Sequence, residues 1–600
     1  MFSSLKGGKH RRRMRIAVPV LGASLAAGVA GVMLMAPANA SATPLPTPIS
    51  KPAVKVVPQS ELLSRVAGAT AGDSTPGAAA TPSATPSPSS TSKISPKIIG
   101  GTTTTVSTAP WMAQLWYYDD KGTTDTTDDE GFFCGGTVVS PTKILTAAHC
   151  VKGYDWKNNG AIVTGTATLA SGDTLPSGAV VTGIWRQWNH PSYKVLPSGA
   201  VDNDVAVLTL NQPVKATPIN ITKSDDTTSY RAGTSGTVYG WGRTSSTTQD
   251  ISDTLRKATL PIDADTACTG FYGSDFVKGH QLCVGNPATG SDTGTVTACN
   301  GDSGGPLVVG GKIVGVVSYG VTDCVEKGAY GVFSKVSTFT GAVRAAIDDS
   351  NLNDDNKADL FTRRSSDGTG FLYYSLGTKF TAKDDIGDWN GLNLVVQTDL
   401  DRDGVQDLIY RVSSTGDVYR MHYDWSADQM INTKIATNWK TRKQIYAPGD
   451  VTGDGLPDLL SVDSAGVNWI YPGKNDGTTG PRIRIGGGWQ QFNQLRGHGD
   501  LTGDGKTDLL ARTSDGSVYL YRGTGNAASP FLAKIKVRSW AGFNTLDMVG
   551  DITGDGKADL IARKPSGTLY LYPGTGKASS EIFATPITIG NGWQQYGLLS

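Results

Sequence analysis

The chain has 600 residues, with 54 lysine and arginine against 53 aspartate and glutamate side chains, so its formal net charge is +1. This balance excludes a strongly basic nucleic-acid-binding protein, and we expect no nucleic-acid partner. The charge is uneven along the chain. Residues 1–40 carry six basic and no acidic side chains and residues 41–97 carry a net +3, which leaves −8 for the rest.

The first 40 residues predict a signal peptide. A basic head ends at Arg15, an apolar run extends from Ile16 to Met35, and the small residues of Ala38-Asn39-Ala40 form a cleavage site. An uncleaved anchor is the alternative, because the run approaches the ~20 residues that span a bilayer. The glycines in the run and the cleavage site favour removal after Ala40, so we expect a secreted, extracellular protein.

Residues 41–97 form a tract rich in proline, serine, threonine and alanine. Such a composition buries too little apolar surface to fold by itself. Only Val54 to Val66 hints at a core. The tract is therefore predicted to be a disordered propeptide.

Three motifs carry the residues of a serine nucleophile site. Thr146–Cys150 contains His149, Asp202–Leu208 contains Asp204, and Gly301–Pro306 contains Ser303. A serine hydroxyl needs an imidazole to take its proton and a carboxylate to orient that imidazole. We predict these roles for Ser303, His149 and Asp204, with Asp202 as the less favoured carboxylate. The N–H groups of Gly301 and Ser303 are the predicted donors to an oxyanion.

From about Ile98 to Asp349 these motifs, in the order His, Asp, Ser, resemble the trypsin/chymotrypsin family of serine proteases. The resemblance implies an all-β fold of two barrels, a serine endopeptidase acting on protein or peptide substrates, and no cofactor for catalysis. Ile98-Ile99-Gly100-Gly101 resembles the mature N-terminus of that family. An activating protease would then cut after Lys97, and the new α-ammonium would pair with Asp302.

All six cysteines lie between residues 134 and 324. An even count in a secreted chain predicts three disulfides but leaves the pairing open. The family resemblance selects the pairs Cys134–Cys150, Cys268–Cys283 and Cys299–Cys324.

The resemblance also places the specificity pocket. Thr297 stands where trypsin-like members carry an aspartate, and Gly320 and Gly331 match the small wall positions. Ser318-Tyr319-Gly320 resembles the segment that pairs with substrate as an added strand, with Tyr319 in place of the usual tryptophan. A neutral, open pocket implies cleavage after large apolar or aromatic residues. Asp323 or Glu326 would restore a preference for basic residues if either reached the pocket.

Residues 350–600 contain a repeat. One ten-residue frame begins at Asn351, Asp399, Asp450, Asp500 and Asp551, at spacings of 48, 51, 50 and 51 residues. Periods of this size are typical of propellers or stacked arrays. A hairpin pattern follows each loop, and the end of the chain supplies the segment that the first repeat lacks. We therefore predict a β-propeller closed as a ring of five repeats.

Each frame resembles the calcium loop of the FG-GAP/VCBS family. Oxygen side chains recur at positions 1, 3, 5 and 9 around a glycine. An EF-hand is excluded, because position 12 is not glutamate but Tyr410, Ser461, Ala511 or Ala562. The alternative is that the aspartates only form turns at strand ends. The predicted ligands are Asp399, Asp401, Asp403, Asp407, Asp450, Asp454, Asp458, Asp500, Asp504, Asp508, Asp551, Asp555 and Asp559, and more weakly Asn351, Asn353, Asp355 and Asp359.

The role of the repeats stays open between two classes. They are either a module that binds a glycan or a cell surface, or a stabilising cap with no ligand beyond calcium. A recurring tryptophan serves either core packing, which we favour, or sugar stacking; its positions are Trp389, Trp439, Trp489, Trp540 and Trp593. We expect a monomer. A calcium-dependent adhesin with a vestigial protease is the alternative for the whole chain, and the intact triad weakens it.

Overall fold

The computed structural model describes residues 43–71 and 98–600, apart from 173, 349 and 354. The predicted signal peptide and Lys97 lie outside these ranges. Leu45–Ser600 forms one compact unit. Within the described residues, every helix is too short or too polar to cross a membrane.

Residues 98–349 are built mainly from antiparallel strands. In chain order they are β1 Thr102–Thr103, β2 Met112–Asp119, β3 Glu130–Ser140, β4 Lys143–Thr146, β5 Gly160–Thr164, β6 Val180–Thr182, β7 Ile184–Asn189, β8 Lys194–Val195, β9 Val201–Asp202, β10 Ala206–Leu210, β11 Asn220–Ile221, β12 Ser235–Gly240, β13 Arg256–Pro261, β14 Gln281–Val284, β15 Pro306–Val309, β16 Lys312–Tyr319 and β17 Gly331–Lys335.

These strands form two main sheets. The first has the order β6-β5-β2-β3-β4-β10-β7, and the second has the order β1-β13-β12-β15-β16-β17-β14 with β11 parallel to β16. Nearly every residue of β3 is buried, because β3 lies in the middle of its sheet with both faces covered. The helices are few: α1 Gln59–Ala71, α2 Trp156–Asn159, α3 Asp265–Tyr272 and α4 Val336–Ile347, with 3₁₀ turns at Ala148–Cys150 and Gly273–Asp275.

The three disulfides form in the predicted pairs, Cys134–Cys150, Cys268–Cys283 and Cys299–Cys324. The first joins β3 to the 3₁₀ turn that follows β4. The third joins the segment before Ser303 to the loop after β16. Covalent links therefore hold both segments that approach the candidate active site.

Residues 350–600 form a second set of strands: β18 Leu360–Arg364, β19 Thr369–Tyr373, β20 Asp384–Asp388, β21 Leu392–Thr398, β22 Asp407–Val412, β23 Val418–Asp424, β24 Gln429–Ala436, β25 Gln444–Gly449, β26 Asp458–Val462, β27 Asn468–Tyr471, β28 Ile483–Gly486, β29 Phe492–Arg496, β30 Leu509–Thr513, β31 Ser517–Tyr521, β32 Ile535–Ser539, β33 Thr545–Gly550, β34 Asp559–Arg563, β35 Leu569–Tyr572, β36 Ile587–Gly590 and β37 Tyr596–Leu599. Three further 3₁₀ turns are Trp439–Thr441, Trp489–Gln491 and Trp593–Gln595.

The second set makes five four-stranded antiparallel sheets, the blades of a propeller. Four blades use consecutive strands, whereas the first has the order β20-β19-β18-β37. The C-terminal strand thus completes the first blade, as predicted. Main-chain bonds run both ways between Phe361 and Ser600, at 2.6 and 2.9 Å. The all-β class and the five-repeat propeller are confirmed.

The recurring tryptophan belongs to the propeller core. Trp389, Trp489, Trp540 and Trp593 are buried, and Trp439 is partly buried against its own cluster. Each packs on aromatic residues of a neighbouring strand, as Trp489 does on Tyr521 with ring centroids 4.9 Å apart. Core packing, rather than sugar stacking, therefore accounts for the repetition.

The prediction that the whole 41–97 tract is disordered is wrong for residues 43–71. Gln59–Ala71 forms α1, which buries Leu62, Val66 and Ala69 against the first sheet. These residues follow a helical spacing of four and three. The segment is ordered without a core of its own, because its apolar side chains share the core of the first sheet. Residues 72–97 lie outside the described residues.

Closure of the propeller by β37 makes Leu599 a test position, because its side chain is buried in the cluster of the first and last blades. We predict that Leu599→Ala lowers the free energy of unfolding by about 2–5 kcal/mol, through lost transfer energy and a residual cavity. Thermal and urea unfolding measure it. Leu532→Ala is the control, since Leu532 is 43% exposed. Equal effects of the two changes would contradict closure by β37.

Candidate active site and repeat loops

His149 and Asp204 are brought together by two neighbouring strands. His149 follows β4 and Asp204 precedes β10, and Thr146 pairs with Ala206 in that antiparallel ladder. The His149 ring nitrogen Nδ1 lies 2.8 Å from Asp204 Oδ2, and the His149 backbone N–H donates to Asp204 Oδ1 at 2.8 Å. Two bonds from one residue to both carboxylate oxygens fix the imidazole relative to the carboxylate.

Asp204 is buried and surrounded by donors. Ser318 Oγ donates to Asp204 Oδ2 at 2.6 Å, and Ser334 Oγ donates to the Asp204 carbonyl at 2.7 Å. Burial raises the pKa of Asp204, but the His149 charge and the hydrogen bonds that His149 and Ser318 donate to the carboxylate outweigh it, so the pKa lies below its ordinary value. The sequence does not reveal the bonds from the two serines, because they come from β16 and β17 of the other sheet.

The His149 imidazole is affected in the opposite direction. Burial lowers the pKa of His149, while the Asp204 charge and hydrogen bond raise it by more, so the net pKa lies above its ordinary value. Asp202, the alternative carboxylate, does not bond His149. It accepts from His280 Nδ1 at 2.7 Å and pairs with Lys194 Nζ at 3.4 Å.

The Ser303 segment lies against the strands that carry His149. The Gly135 N–H donates to the Ser303 carbonyl at 2.7 Å, and the Gly304 N–H donates to the Val317 carbonyl at 2.9 Å. Gly304 has φ +80°, and a Cβ there would overlap Thr146 Oγ1 and the Gly135 carbonyl. Glycine is therefore required for this close approach. The predicted oxyanion residue Gly301 also has a left-handed backbone, with φ +89°.

Asp302 lies fully buried beside Ser303. It accepts the N–H of Gly242 at 2.8 Å and of Cys299 at 2.9 Å. Burial raises the pKa of Asp302 to about 7, against the lowering effect of these N–H groups and of the Arg256 charge. A Cβ at Gly242 would overlap this carboxylate. Ile98 is completely buried in the core of the second sheet, and the Ile99 carbonyl accepts from the Thr297 N–H at 3.1 Å.

Of the predicted pocket residues, Thr297 carries no charge and lies close to Gly331. Thr297 Oγ1 donates to the Ala298 carbonyl at 3.1 Å, and a Cβ built on Gly331 would lie 3.8 Å from Thr297 Oγ1. A Cβ on Gly320 would meet open space. The Tyr319 hydroxyl donates to the Asp275 carbonyl at 2.9 Å and lies 3.0 Å from Gln281 Oε1.

Asp323 and Glu326, the two acidic candidates for a preference for basic residues, are exposed. Asp323 Oδ1 accepts the backbone N–H of Val325 at 3.1 Å and of Glu326 at 3.0 Å. These bonds tie Asp323 to its own loop.

The close group of His149 with Cys134 and Cys150 is no metal site, since the two sulfurs form a disulfide.

Three of the repeat loops share one hydrogen-bond pattern. In the loop 450–458, Asp450 Oδ1 accepts the Gly453 N–H at 2.6 Å and Oδ2 accepts the Gly455 N–H at 2.9 Å. The ninth residue, Asp458, accepts the N–H of Thr452 at 2.9 Å and of Gly473 at 3.2 Å. The corresponding bonds recur at Asp500 and Asp508 and at Asp551 and Asp559. The aspartates therefore hold the turn, as the alternative interpretation required.

The same carboxylates also repel one another. Burial and then the charges of Asp450 and Asp454 raise the pKa of Asp458 to about 8, and burial and then Asp551 raise that of Asp559 to about 8. Mutual repulsion requires that the carboxylates of one loop lie close together. Convergent carboxylates are the donor set that calcium prefers.

The loop 399–407 differs from the others. Ligand atoms of Asp399, Asp401 and Asp403 lie within 4.8 Å of one another. Arg420 of β23 enters this group, with Nη1 2.8 Å from Asp401 Oδ2 and 3.4 Å from Asp407 Oδ2. The register places Ile470, Leu520 and Leu571 at the matching positions of the next three blades. Among these four blades, this strand position is therefore an arginine only beside the loop 399–407.

In the first loop, the predicted weak ligands also bond the backbone. Asp359 accepts the Leu352 N–H at 2.7 Å and the Ser375 N–H at 2.8 Å. Asn351 Oδ1 accepts the Asn353 N–H at 3.1 Å, and Asp355 pairs with Lys357 at 3.1 Å.

Comparison with known proteins matches residues 98–343 to the Trypsin family model. A trypsin of Saccharopolyspora erythraea is 36% identical over 244 residues, which are 40% of this chain and 94% of that protein. Brachyurin of Leptuca pugilator is 31% identical over 40% of this chain and 95% of its own length, and human kallikrein-14 is 31% identical over 42% and 85%. The chain belongs to the trypsin family. Residues 500–562 match the FG-GAP-like repeat model.

The solved structure titled "Structure of GrC" aligns with 41% of this chain and 97% of its own at a TM-score of 0.34 and 26% identity. The family match and the curated trypsin show that the trypsin-family domain is homologous to serine endopeptidases. The match to the repeat model falls within the last two blades.

All five repeat loops contact the trypsin-family domain. Salt bridges join Arg344 to Asp450 at 3.2 Å and Lys506 to Asp225 at 2.6 Å. Asn356 Nδ2 donates to the Gln187 carbonyl at 3.1 Å, Arg186 donates to the Gly404 carbonyl at 3.2 Å, and Gly556 packs on Ala342. The loop face of the propeller is therefore covered by the protein's own protease domain.

A buried ion pair lies at the centre of this interface. Arg402 of the second loop pairs with Asp348, next to the end of α4, at 2.8 Å, and their side chains are 5% and 9% exposed. Burial raises the pKa of Asp348, but Arg402 and His498 outweigh it, so the pKa lies below its ordinary value. Removing either partner would leave an uncompensated buried charge.

The His149–Asp204 pair predicts a pH dependence. Peptidase activity that needs neutral His149 should fall as pH decreases through the His149 pKa, which lies above its ordinary value. Asp204→Asn removes the charge that raises this pKa while burial, which lowers it, remains. We therefore expect the acid limb of kcat/KM to move to lower pH, with kcat reduced by about 10⁴.

Asp202→Asn is the matched control, because Asp202 is buried and bonds His280 instead. It should leave the acid limb in place. An unchanged limb in Asp204→Asn, or an equal shift in both variants, would contradict the assignment.

Proposed function

We propose that this protein is a secreted serine endopeptidase in which Ser303 is the nucleophile, His149 the general base and Asp204 the orienting carboxylate. The observation that carries the proposal is the 2.8 Å contact between His149 Nδ1 and Asp204, on strands against which the Ser303 segment packs. With Nδ1–H donating to Asp204, the proton-accepting nitrogen of the neutral imidazole is Nε2. The N-terminal sequence and three disulfides support secretion.

The reaction follows from these groups. His149 Nε2 takes the Ser303 hydroxyl proton as the oxygen attacks the substrate carbonyl, and the N–H groups of Gly301 and Ser303 stabilise the oxyanion. His149 then protonates the leaving amine, and an acyl-enzyme forms. Water hydrolyses it by the same route. Asp204 stabilises the imidazolium at both steps, which agrees with its low pKa.

Activation by a cut after Lys97 is supported by the surroundings of Asp302. Ile98 is buried in the second sheet, and Asp302 is fully buried with a pKa raised to about 7. A new α-ammonium at Ile98 would favour the ionised carboxylate and so hold the segment that precedes Ser303. The neutral Thr297 floor argues that another protease makes this cut.

The pocket favours large apolar or aromatic side chains. Thr297 supplies no negative charge, Gly320 leaves open space, and Asp323 is exposed and bonded to its own loop. A lysine or arginine side chain would find no buried carboxylate partner in these residues.

The test is cleavage of a peptide library by the chain after an added protease has cut it at Lys97. We expect cleavage after Phe, Tyr or Leu, and a loss of about 10⁶ in kcat in Ser303→Ala treated in the same way. Ser107→Ala is the control, since Ser107 is exposed. Cleavage after Lys or Arg that Asp323→Asn or Glu326→Gln abolishes would refute the apolar pocket. Activity retained by Ser303→Ala would refute the nucleophile.

The second part of the proposal is that the repeat loops bind calcium. The residues fit, because their carboxylates converge closely enough to raise one another's pKa. Asp450, Asp454 and Asp458, and their counterparts at 500–508 and 551–559, would hold the ion. Calcium would neutralise their repulsion and so stabilise the loops.

Binding should be uneven among the loops. Arg420 already supplies a positive charge to Asp401 and Asp407, so it competes with an ion in the loop 399–407. Asn351 and Asn353 reduce the charge of the first loop. The loops of the last three blades are therefore the preferred sites.

Because the loop face covers the protease domain, we infer that calcium and the propeller serve mainly to stabilise and dock that domain. The salt bridge between Arg344 and Asp450 uses one of the aspartates that would hold the ion. A glycan or cell-surface ligand would have to bind elsewhere on the propeller.

Calcium added to protein that a chelator has freed of metal should raise Tm. Each site should add about 2.7 kcal/mol to the free energy of unfolding when free calcium is 100 times its dissociation constant. Asp504→Asn should abolish one site in isothermal titration calorimetry. Asp515→Asn in the same blade is the matched control: Asp515 also accepts the N–H two residues on, at 2.9 Å against 3.1 Å for Asp504, but lies outside the loop. No calcium-dependent change in Tm, or equal binding losses in both variants, would refute the sites.

A further inference from the structure

Residues 45–71, here called the clasp, run across both halves of the protein. Their C-terminal part is α1, which lies on β2, β3, β5 and β6 of the protease domain. Their N-terminal part lies against β23 and β24 of the second blade. One segment of the predicted propeptide thus contacts the protease domain and the propeller.

The helix completes the core of the first sheet. Leu62 is 1% exposed and Val66 is fully buried, and both belong to one apolar cluster with Trp116 and Phe133. Val57 and Ala69 lie in the same cluster. Without α1 this apolar face of the sheet would be exposed to water, which is unfavourable in proportion to its area.

A buried charge adds specificity to this contact. Arg65 is 7% exposed, and its Nη1 donates to the Gly160 carbonyl at 2.8 Å. Its Nη2 pairs with Glu61 of the same helix at 2.6 Å. A buried guanidinium that is paired with both a carbonyl and a carboxylate indicates a specific interface rather than a chance contact.

The other end of the clasp is held by the propeller. Asn432 Nδ2 donates to the Pro46 carbonyl at 2.9 Å, and Lys51 pairs with Asp428. Ile49 and Val54 pack on the cluster that contains Trp185 of the protease domain and Tyr423 of the propeller. The chain then returns to the protease domain, where Asn211 Nδ2 donates to the Lys55 carbonyl at 3.0 Å.

These contacts are all non-covalent, because every cysteine lies between residues 134 and 324. We propose that the clasp stays bound after the chain is cut between residues 72 and 98, as a second, non-covalent chain that holds the protease domain to the propeller. The partner of this surface is therefore the protein's own propeptide. Only the natural cut after Lys97 rests on the proposed function.

The test separates the cut from the activation site. A recognition sequence for a site-specific protease is inserted after Thr85 in the chain from residue 41, in a Ser303→Ala background that prevents self-digestion. The cut protein is passed through gel filtration without denaturant, and mass spectrometry identifies the fragments in the main peak. We expect the N-terminal fragment in one-to-one ratio with the rest, and elution of that fragment by itself would overturn the proposal.

Two variants of α1 provide a matched pair. Val66→Asp places a carboxylate in the apolar cluster, whereas Ser64→Asp places it on the exposed side of the same helix. We expect Val66→Asp to reduce the retained fragment more than about tenfold and Ser64→Asp to leave it unchanged. Equal retention in both variants would contradict the interface.

A second measurement needs no further change to the cut protein. Labelled synthetic peptide 43–71 is incubated in excess with the cut protein, and its incorporation into the main peak is followed. The measurement is made under conditions that release the bound fragment. Wild-type peptide should then be incorporated, and the Val66→Asp peptide should not. Incorporation of both peptides, or of neither, would overturn the proposal. A cut after Lys97 that retains the clasp but produces no activity would refute the activation proposal and support this one.

Discussion

Buried carboxylates must be matched by donors or cations, and both halves of this protein are organised around that requirement. Asp204 accepts hydrogen bonds from His149 and from the Ser318 hydroxyl, and its pKa falls below its ordinary value despite complete burial. Asp302 has mainly backbone N–H donors, and its pKa rises to about 7. Both carboxylates are fully buried, so the opposite directions of their pKa shifts come from their neighbours.

The same balance operates in the propeller. Asp348 is buried, yet Arg402 and His498 keep its pKa low, whereas Asp458 and Asp559 face other aspartates and their pKa values rise to about 8. The loop 399–407 lies between these cases, because Arg420 meets two of its aspartates directly. A propeller of similar blades therefore contains loops with different needs for an external cation. Since these loops cover the protease domain, their charge balance bears on how firmly the two halves are joined.

Local motifs carried much of the site, because the chemistry of each motif is local. Gly301–Pro306 and Thr146–Cys150 place a serine and a histidine whose roles depend on adjacent residues, and the choice of Asp204 over Asp202 followed from its strand. The repeat period predicted five blades and their closure, since each loop and hairpin recurs in register. A local pattern cannot predict contacts between residues that are distant in the chain. The serines that bond Asp204 and the arginine that pairs with Asp401 both come from distant strands.

The clasp shows the same limit at a larger scale. Composition predicted that this segment has too little apolar surface for a core of its own, but an ordered structure requires only that the surface be buried somewhere. Leu62 and Val66 gain that burial from strands more than forty residues away in the chain. One end of the clasp contacts the propeller and the other contacts the protease domain. The clasp therefore binds most strongly when the two domains are associated, and its binding in turn favours their association. In the arrangement proposed for the clasp, this segment holds the two domains together independently of any effect that a cut after Lys97 has on the active site.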